Sequence, residues 1–410
     1  MHRKKRILLL GDSRMAFPIA KALNQAGHQV FTGVSVYSNY LEWSRHLSGS
    51  FAHPSTDAGG DEALPYILSW IDQNGPLDAI QPVSESASRL VSRHRSQFEA
   101  VAPLIMPDPE TVETCSNKPK MFELCEALKL PLAKFARITS VQTLHQAIEE
   151  IGFPLIIKPS VVDAELFGRK ALIIASASEL EKAFPHWPTE HPELLVQRYV
   201  SGPRHSVIFT AKEGQLIKAV AIEARRTHEN DGTGYTTLGV TVPPAPAVRE
   251  TTEKLIEALG YSSTGCTQFI VDPVTGETTF MELNPRVSLA RISEAAGLDH
   301  SLLGLDIALN EVLPAPSNPW ATKKGVYYTW TKGDLMRIKK SLASGALPKH
   351  QLPRALFEIT RDAMRSHHAI FDPLDPMPAL GVYGNFALKH VRKRPEFKLA
   401  EPIQDSSFPA

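Results

Sequence analysis

The stretch Gln268-Phe-Ile-Val-Asp-Pro-Val-Thr-Gly-Glu-Thr-Thr-Phe-Met-Glu282-Leu-Asn284-Pro-Arg286-Val-Ser288 governs how the rest of this chain is read. Apolar and polar residues alternate on both sides of Pro273-Val-Thr-Gly276, which has the length and composition of a hairpin connection. Pairing Asp272 with Thr278 sets Ile270 opposite Phe280 and Gln268 opposite Glu282, so Gln268, Glu282 and Asn284 share one side of the ribbon. On that register Phe269, Val271, Met281 and Leu283 turn into a core. One carboxylate and two amide oxygens form an incomplete shell for a hard cation. Magnesium suits such a shell, because it retains waters and takes phosphate oxygens as further ligands. An ordinary exposed hairpin face carries the same residue types, so those three residues alone do not separate a metal site from a surface. Asn284-Pro-Arg286 shifts the balance: a permanent cation beside a metal face is how proteins handle phosphoryl groups.

The chain has 410 residues, 43% of them hydrophobic, enough for about two or three domains with cores of their own. Lys and Arg number 44, as do Asp and Glu, which gives no reason to expect nucleic acid or a membrane surface as partner. Cys115, Cys125 and Cys266 show neither metal nor disulfide spacing, and a reducing cytoplasm is the default expectation. The apolar run Ile7 to Leu10 meets Gly11-Asp12 too soon for a signal peptide and reads as a first strand. No window approaches the roughly 18 apolar residues of a membrane span.

That strand, a helix over Ala16 to Ala26 and a strand from Gln29 form a beta-alpha-beta unit of the doubly wound type. Leu77 to Pro82 reads as a later strand, with a helix following it through Arg95. Glu85, at the carboxyl end of that strand, is a candidate contact for a substrate amine; helix capping by Ser84-Glu85-Ser86 is the competing reading. The G-x-G-x-x-G fingerprint is absent, which argues against a dinucleotide site.

Met281-Glu-Leu-Asn-Pro-Arg-Val-Ser288 resembles the metal-binding strand of the ATP-grasp superfamily, most of all the branch containing the large subunit of carbamoyl-phosphate synthetase. That branch also places Gln where most relatives place an acid, matching Gln268. Further motifs follow in the family's order. Asn117-Lys118, with Phe122, Leu124, Cys125 and Leu128, resembles the helix entering the nucleotide domain, which implies that Lys118 reaches ATP phosphates. Gly152-Phe-Pro-Leu-Ile-Ile-Lys158-Pro159 resembles the strand whose lysine contacts the alpha and beta phosphates; a lysine closing a buried strand is costly without an anion. Leu194-Leu-Val-Gln197-Arg-Tyr199-Val200-Ser-Gly-Pro203 resembles the hinge strand that holds adenine, with Gln197 and Val200 at the purine edge and Tyr199 packing beside them.

Two departures stand out. Arg204-His205 occupies the place of the acid that grips ribose in relatives, and the lid segment Ser160 to Lys170 holds only Gly168 where a glycine-rich loop is usual. Arg169 and Lys170 would then supply by charge what a glycine loop supplies by amide donors. Between Ala221 and Val242, Arg225 and Arg226 are candidates to clamp a substrate carboxylate, a solvated charged turn being the other reading.

The resemblance implies a mixed α/β and α+β architecture. Residues 1–108 form a doubly wound domain of the kind that precedes ATP-grasp modules, and 109–315 the module, with a mobile lid subdomain at about 138–196. Residues 316–410 form a C-terminal α+β extension. It also implies an activity. With ATP and a pair of magnesium ions, replaceable by manganese, bound at Gln268, Glu282 and Asn284, a small-molecule carboxylate attacks the terminal phosphorus. An amine then displaces phosphate from the acyl phosphate, with Arg286 and Lys158 as the catalytic cations. Amino acids are candidates for either substrate, and homodimers are common in the resembled family. Two alternatives remain open. One is a nucleotide-binding regulator or scaffold without turnover. The other is bicarbonate activation as in carbamoyl-phosphate synthetase. Against the latter stand a single module where the synthetase has two, and Tyr235-Thr-Thr-Leu-Gly239 in place of His-Thr-Gly-Asp-Ser.

Overall fold

A computed structural model describes residues 3–11, 13–35, 40–56, 60–160, 166, 171–183, 193–230, 232–313 and 318–388. The apolar run near the N-terminus forms β1 (Arg6–Leu10), followed by α1 (Ala16–Gln25), β2 (Gln29–Ser35), β3 (Gly49–His53), α2 (Leu64–Asn74), β4 (Ala79–Pro82), α3 (Glu85–Arg93) and α4 (Arg95–Glu99). The four strands make a parallel sheet in the order β3-β2-β1-β4. β1 is apolar on both sides because both sides are covered. Ile7 and Leu9 pack with α1, while Leu8 and Leu10 pack with α2, α3 and α4. A side chain at Gly11, where β1 ends, would press its Cβ to 2.4 Å from Ser84 Oγ. Ser84 in turn caps α3, accepting from Ala87 N at 3.1 Å. The capping expected at Ser84 is therefore present, and it pins the carboxyl ends of β1 and β4 together.

After α5 (Pro109–Ser116) and α6 (Lys118–Ala127), a second sheet in the order β5-β8-β6-β7 contains β5 (Phe135–Ile138), β6 (Leu155–Pro159), β7 (Leu172–Ile174) and β8 (Leu194–Arg198). Leu155, Ile157, Leu194 and Val196 bury one face of it against α7 (Val141–Ile151) and α8 (Ala177–Ala183). Arg169 and Lys170 lie outside the described residues, as does Gly168.

The largest sheet is seven-stranded, β13-β12-β9-β10-β11-β14-β15. It consists of β9 (Arg204–Lys212), β10 (Gln215–Thr227), β11 (Thr236–Val242), β12 (Ser263–Val271), β13 (Thr278–Asn284), β14 (Tyr327–Thr329) and β15 (His367–His368). Val207, Phe209, Phe269 and Leu283 pack on one side with α6 and α9 (Pro246–Ala258). Ile208, Val220 and Cys266 pack on the other with α10 (Ala290–Ala295). Val287, Ala290 and Leu305, the last on α11 (His300–Ala308), reach into the core of the N-terminal sheet, so the segment after β13 is shared between the two.

The β12–β13 hairpin departs from the simple register in one respect. Gln268 does face Glu282, but a bulge follows, and Phe269 then faces Phe280, Ile270 faces Thr279 and Val271 faces Thr278. Phe280 is fully buried and meets Phe269 edge to face at 5.7 Å between centroids, whereas Met281 is only half-buried. The expectation that Met281 fills the core is thus corrected. Burying the larger ring beside Phe269 gains more apolar area and an aromatic contact, and one extra residue in β13 absorbs the mismatch.

The remaining helices are α12 (Thr331–Ala343), α13 (Leu352–Met364) and α14 (Met377–Leu388). α12 and α13 are fastened to β10 by an ionic knot. Arg226 reaches Asp334 with two parallel hydrogen bonds of 2.7 Å and Asp362 with one of 2.9 Å, and both carboxylates are buried. Burial works against ionised Asp362, but hydrogen bonds from Arg226 and Arg361 outweigh it and hold this carboxyl below its ordinary value. Its contribution to stability is therefore full above the usual carboxylate pKa of about 4 and is lost as pH falls further. Removing one carboxylate of a buried pair strands the partner charge, so Asp334→Ala is expected to cost about 3–5 kcal/mol. Urea unfolding measures this; a loss below about 1 kcal/mol, the scale of an exposed pair, would contradict the knot.

Candidate functional site

The two smaller sheets meet the large one along β12 and β13, and the candidate site residues are drawn to that line. Gln268, directly opposite Glu282, lies on the same face of the hairpin and is half-buried, as are Glu282 and Asn284. Asn284 Nδ2 donates to Glu282 Oε1 at 2.8 Å, and Arg286 Nη2 lies 3.5 Å from Asn284 Oδ1. Arg286 Nε donates to Glu85 Oε2 at the first turn of α3. Burial disfavours the Arg286 charge, but Glu85, through both its charge and this hydrogen bond, and Glu282 more than compensate and raise its pKa. Glu85, read from sequence as a contact for a substrate amine, here holds Arg286, with Arg89 also 3.7 Å from its other oxygen.

Lys158 approaches the same carboxylate from the four-stranded sheet. Strand alternation turns Leu155 and Ile157 toward α7 and α8, and Ile156 and Lys158 the opposite way. Gln197 pairs with Ile156 and Leu195 with Lys158 in β8, so Gln197 and Lys158 occupy the same face of this sheet. Lys158 Nζ lies 5.7 Å from the centre of the Phe122 ring. Burial pushes its pKa down to about 8; Glu282 partly counters this and Lys118 adds to it. Lys118, the first residue of α6, donates from Nζ to Pro159 O at 3.1 Å. Lys158 and Arg286 thus stand near Glu282, with Lys118 beside Lys158, an excess of positive charge suited to a polyanion.

Other sequence candidates fall farther out. Tyr199 is held by its backbone N–H to Pro154 O at 3.0 Å, and Val200 lines a cleft of about 530 Å³ with Leu132, Ala247 and Thr278. Arg225 is the bulged residue of β10, pairs with Glu223 at 3.1 Å and is exposed. Arg226 is not free to clamp a substrate, because Asp334 and Asp362 occupy its guanidinium. Arg204, standing where an acid was looked for, donates to Gly234 O at 2.6 Å and Thr236 Oγ1 at 2.9 Å. Burial lowers its pKa, and the charge of Glu282 opposes that effect.

Sequence reasoning missed two features. Phe122 beneath Lys158 was read only as part of a helical apolar stripe, and no local signal marks a ring that will meet a lysine from another sheet. Arg14, in the turn after β1, carried no motif at all. Among the described residues no three His, Cys, Asp or Glu side chains stand together as a metal cluster. A cation held here would take Glu282 with the amide oxygens of Asn284 and Gln268 as its ligands. That all-oxygen set fits magnesium, and a half-turn of the Asn284 amide would present its oxygen beside the carboxylate.

Comparison with known proteins agrees with this arrangement. Residues 118–315 match the family model described as the carbamoyl-phosphate synthase L chain, ATP binding domain. The chain is 28% identical over 209 residues to the carbamoyl phosphate synthase large chain of Clostridium acetobutylicum, covering 48% of this chain and 19% of that one. It is 26% identical over 286 residues to the Thermus thermophilus large chain, covering 66% and 27%. The match therefore spans about a fifth to a quarter of these relatives. Among solved structures, a biotin carboxylase from Campylobacter jejuni superposes with a TM-score of 0.62 at 18% identity, covering 79% of this chain and 74% of that one. An N5-carboxyaminoimidazole synthetase from Staphylococcus aureus superposes with a TM-score of 0.60 at 13% identity, covering 80% and 82%. Motif order, sheet pairing and the family match agree over residues 118–315, just under half of the chain, and there the chain is similar to the ATP-binding domain of the carbamoyl-phosphate synthase large chain.

Proposed function

We propose that this protein is an ATP-dependent ligase that activates a carboxylate as an acyl phosphate and joins it to an amine, releasing ADP and phosphate. The observation that carries the reading is the convergence of Glu282, Asn284 and Arg286 from the hairpin with Lys158 from the facing sheet. A phosphoryl transfer asks the protein mainly for positioning and charge neutralisation, and this group supplies both. Lys158 and Lys118 hold the nucleotide's phosphates, and Gln197 shares the sheet face on which the nucleotide lies, with Tyr199 and Val200 at the hinge. Arg286, aimed by Glu85, meets the charge that builds on the transferring group. Magnesium, held by Glu282, Asn284 and Gln268, would screen the repulsion between phosphate oxygens and an incoming carboxylate. The residues at the carboxyl ends of β1 and β4 close the far side of the site, where open α/β sheets bind their ligands. The activated acid hydrolyses in water, so the four-stranded sheet that carries Lys158 has a second task as a cover. Bicarbonate, in place of an organic acid, needs the same first step.

The direct test is ADP release from Mg-ATP over a panel of amino acids, simple amines, organic acids and bicarbonate. Glu282→Ala is expected to reduce turnover on the order of 10²- to 10³-fold while leaving the melting temperature close to that of the parent. Full activity in that variant would remove the metal assignment. A second expectation concerns pH. Lys158 must be protonated to hold phosphate, and its pKa of about 8 in the free protein rises when the anion arrives. ADP affinity is therefore full below pH 8 and weakens as pH climbs past it, with proton uptake on binding. Calorimetry at pH 7 and pH 9 in buffers of different ionisation heat reads both, and Lys158→Arg should abolish the dependence. A flat profile for the parent would show that Lys158 does not touch the phosphates.

A further inference from the structure

Arg14 occupies an unusual position for a charged side chain. It follows β1 in the N-terminal sheet, yet its guanidinium lies over two rings of the large sheet's far end, 4.7 Å from the centre of Tyr235 and 4.3 Å from that of Trp330. Its Nε is buried and meets no hydrogen-bond acceptor. Among the described residues no carboxylate pairs with it, in contrast to Arg226, Arg286 and Arg225, each of which has an acidic partner. The two rings stand at 83° to each other, so at most one lies flat on the guanidinium, and the buried Tyr328 hydroxyl sits beside it; the remaining N–H groups match a carboxylate in two-pronged fashion. A buried donor without an acceptor is costly unless something supplies one.

The surroundings connect Arg14 to the reaction site from both sides. Ser13 Oγ donates to Val83 O at 2.6 Å, which fixes the Arg14 turn against the end of β4, and the next two residues are the Ser84 cap and Glu85, the partner of Arg286. On the opposite side Tyr235 lies between Gly234 and Thr236, the two residues that Arg204 grips. Arg204 pairs in register with Ile270, two positions from Gln268. His228 stacks on Tyr235 at 5.4 Å, and burial keeps its pKa below the ordinary value, so it adds a neutral ring at pH 7 and not a second cation. Tyr235 itself is 52% exposed, leaving the aromatic wall open to an entering molecule.

We infer that Arg14, framed by Tyr235 and Trp330, binds a carboxylate of the substrate pair that does not react. This rests on the ligase reading and narrows it: one substrate is an amino acid whose amine attacks, or a dicarboxylic acid of which one end is activated. The two sources share the chemistry that Arg14 recognises, a planar anion on a small molecule reaching from the Arg286 side of the site. A purely structural Arg14, a cation–π clasp between the two sheets, is the competing account.

Isothermal titration of the full chain, saturated with Mg-ADP, separates them. The probes are matched pairs: L-phenylalanine against phenethylamine and L-alanine against ethylamine for the amine source, succinate against propionate and malonate against acetate for the acid source. The member carrying the extra carboxylate is expected to bind on the order of 10- to 100-fold more tightly within the pair that fits, the range of a hydrogen bond to a charged group. Arg14→Met should erase that preference without changing Mg-ADP affinity, and Arg14→Lys should restore part of it by charge alone. The retained Mg-ADP affinity shows that the variants fold. Equal binding within every pair, absence of binding by all the acids and amino acids, or an undiminished preference in Arg14→Met would each overturn the inference. If Mg-ADP binds neither the parent nor the variants, the ligase reading itself fails.

Discussion

Glu85 and Arg286 are separated by 201 positions in the chain and meet across the junction of two sheets. That contact is the constraint on which the site depends. An arginine with a long flexible stem has many places to go, and only a fixed carboxylate selects one of them. Glu85 is itself fixed, because Ser84 caps the helix it begins and the loop beside Gly11 packs against that cap. From Arg286 the order passes to Asn284 and then to Glu282, each through one polar contact. The N-terminal sheet therefore contributes to the chemistry of the large one by aiming its arginine.

Charge in the cleft is asymmetric for a reason of the same kind. Glu282 faces Lys158, Arg204 and Arg286, so its surroundings carry more positive than negative charge. Burial, more than the neighbouring Lys118, lowers the pKa of Lys158, and Glu282 offsets part of that effect. Where relatives use an acid against ribose, this chain spends Arg204 on the turn before β11, binding Gly234 and Thr236 and thereby shaping the wall that carries Tyr235. Arg204 thereby braces the turn next to the Tyr235 and Trp330 rings that meet Arg14.

Several elements were readable in advance because their information is local. The all-apolar β1 could only be a strand covered on two sides, and the pairing of Gln268 with Glu282 followed from alternation around a turn with Gly276 in it. The bulge did not follow, since alternation predicts Met281 in the core and says nothing of the Phe269–Phe280 contact that claims the space. Arg225 and Arg226 looked equivalent as neighbours in one basic dipeptide. In the strand they face opposite sides, the exposed Arg225 pairing with Glu223 and Arg226 entering a buried knot with α12 and α13.

Periodicity, turn chemistry and the order of motifs belong to contiguous residues, and they were enough to identify strands, the oxygen-bearing face and the superfamily. Partnership between charges was beyond their reach. Arg226 meets carboxylates 108 and 136 positions away, and Arg14 meets rings more than two hundred residues downstream. Pairing at such separations is chosen by how the sheets pack and by the cost of burying an unmatched charge, quantities that exist only once the chain has closed on itself.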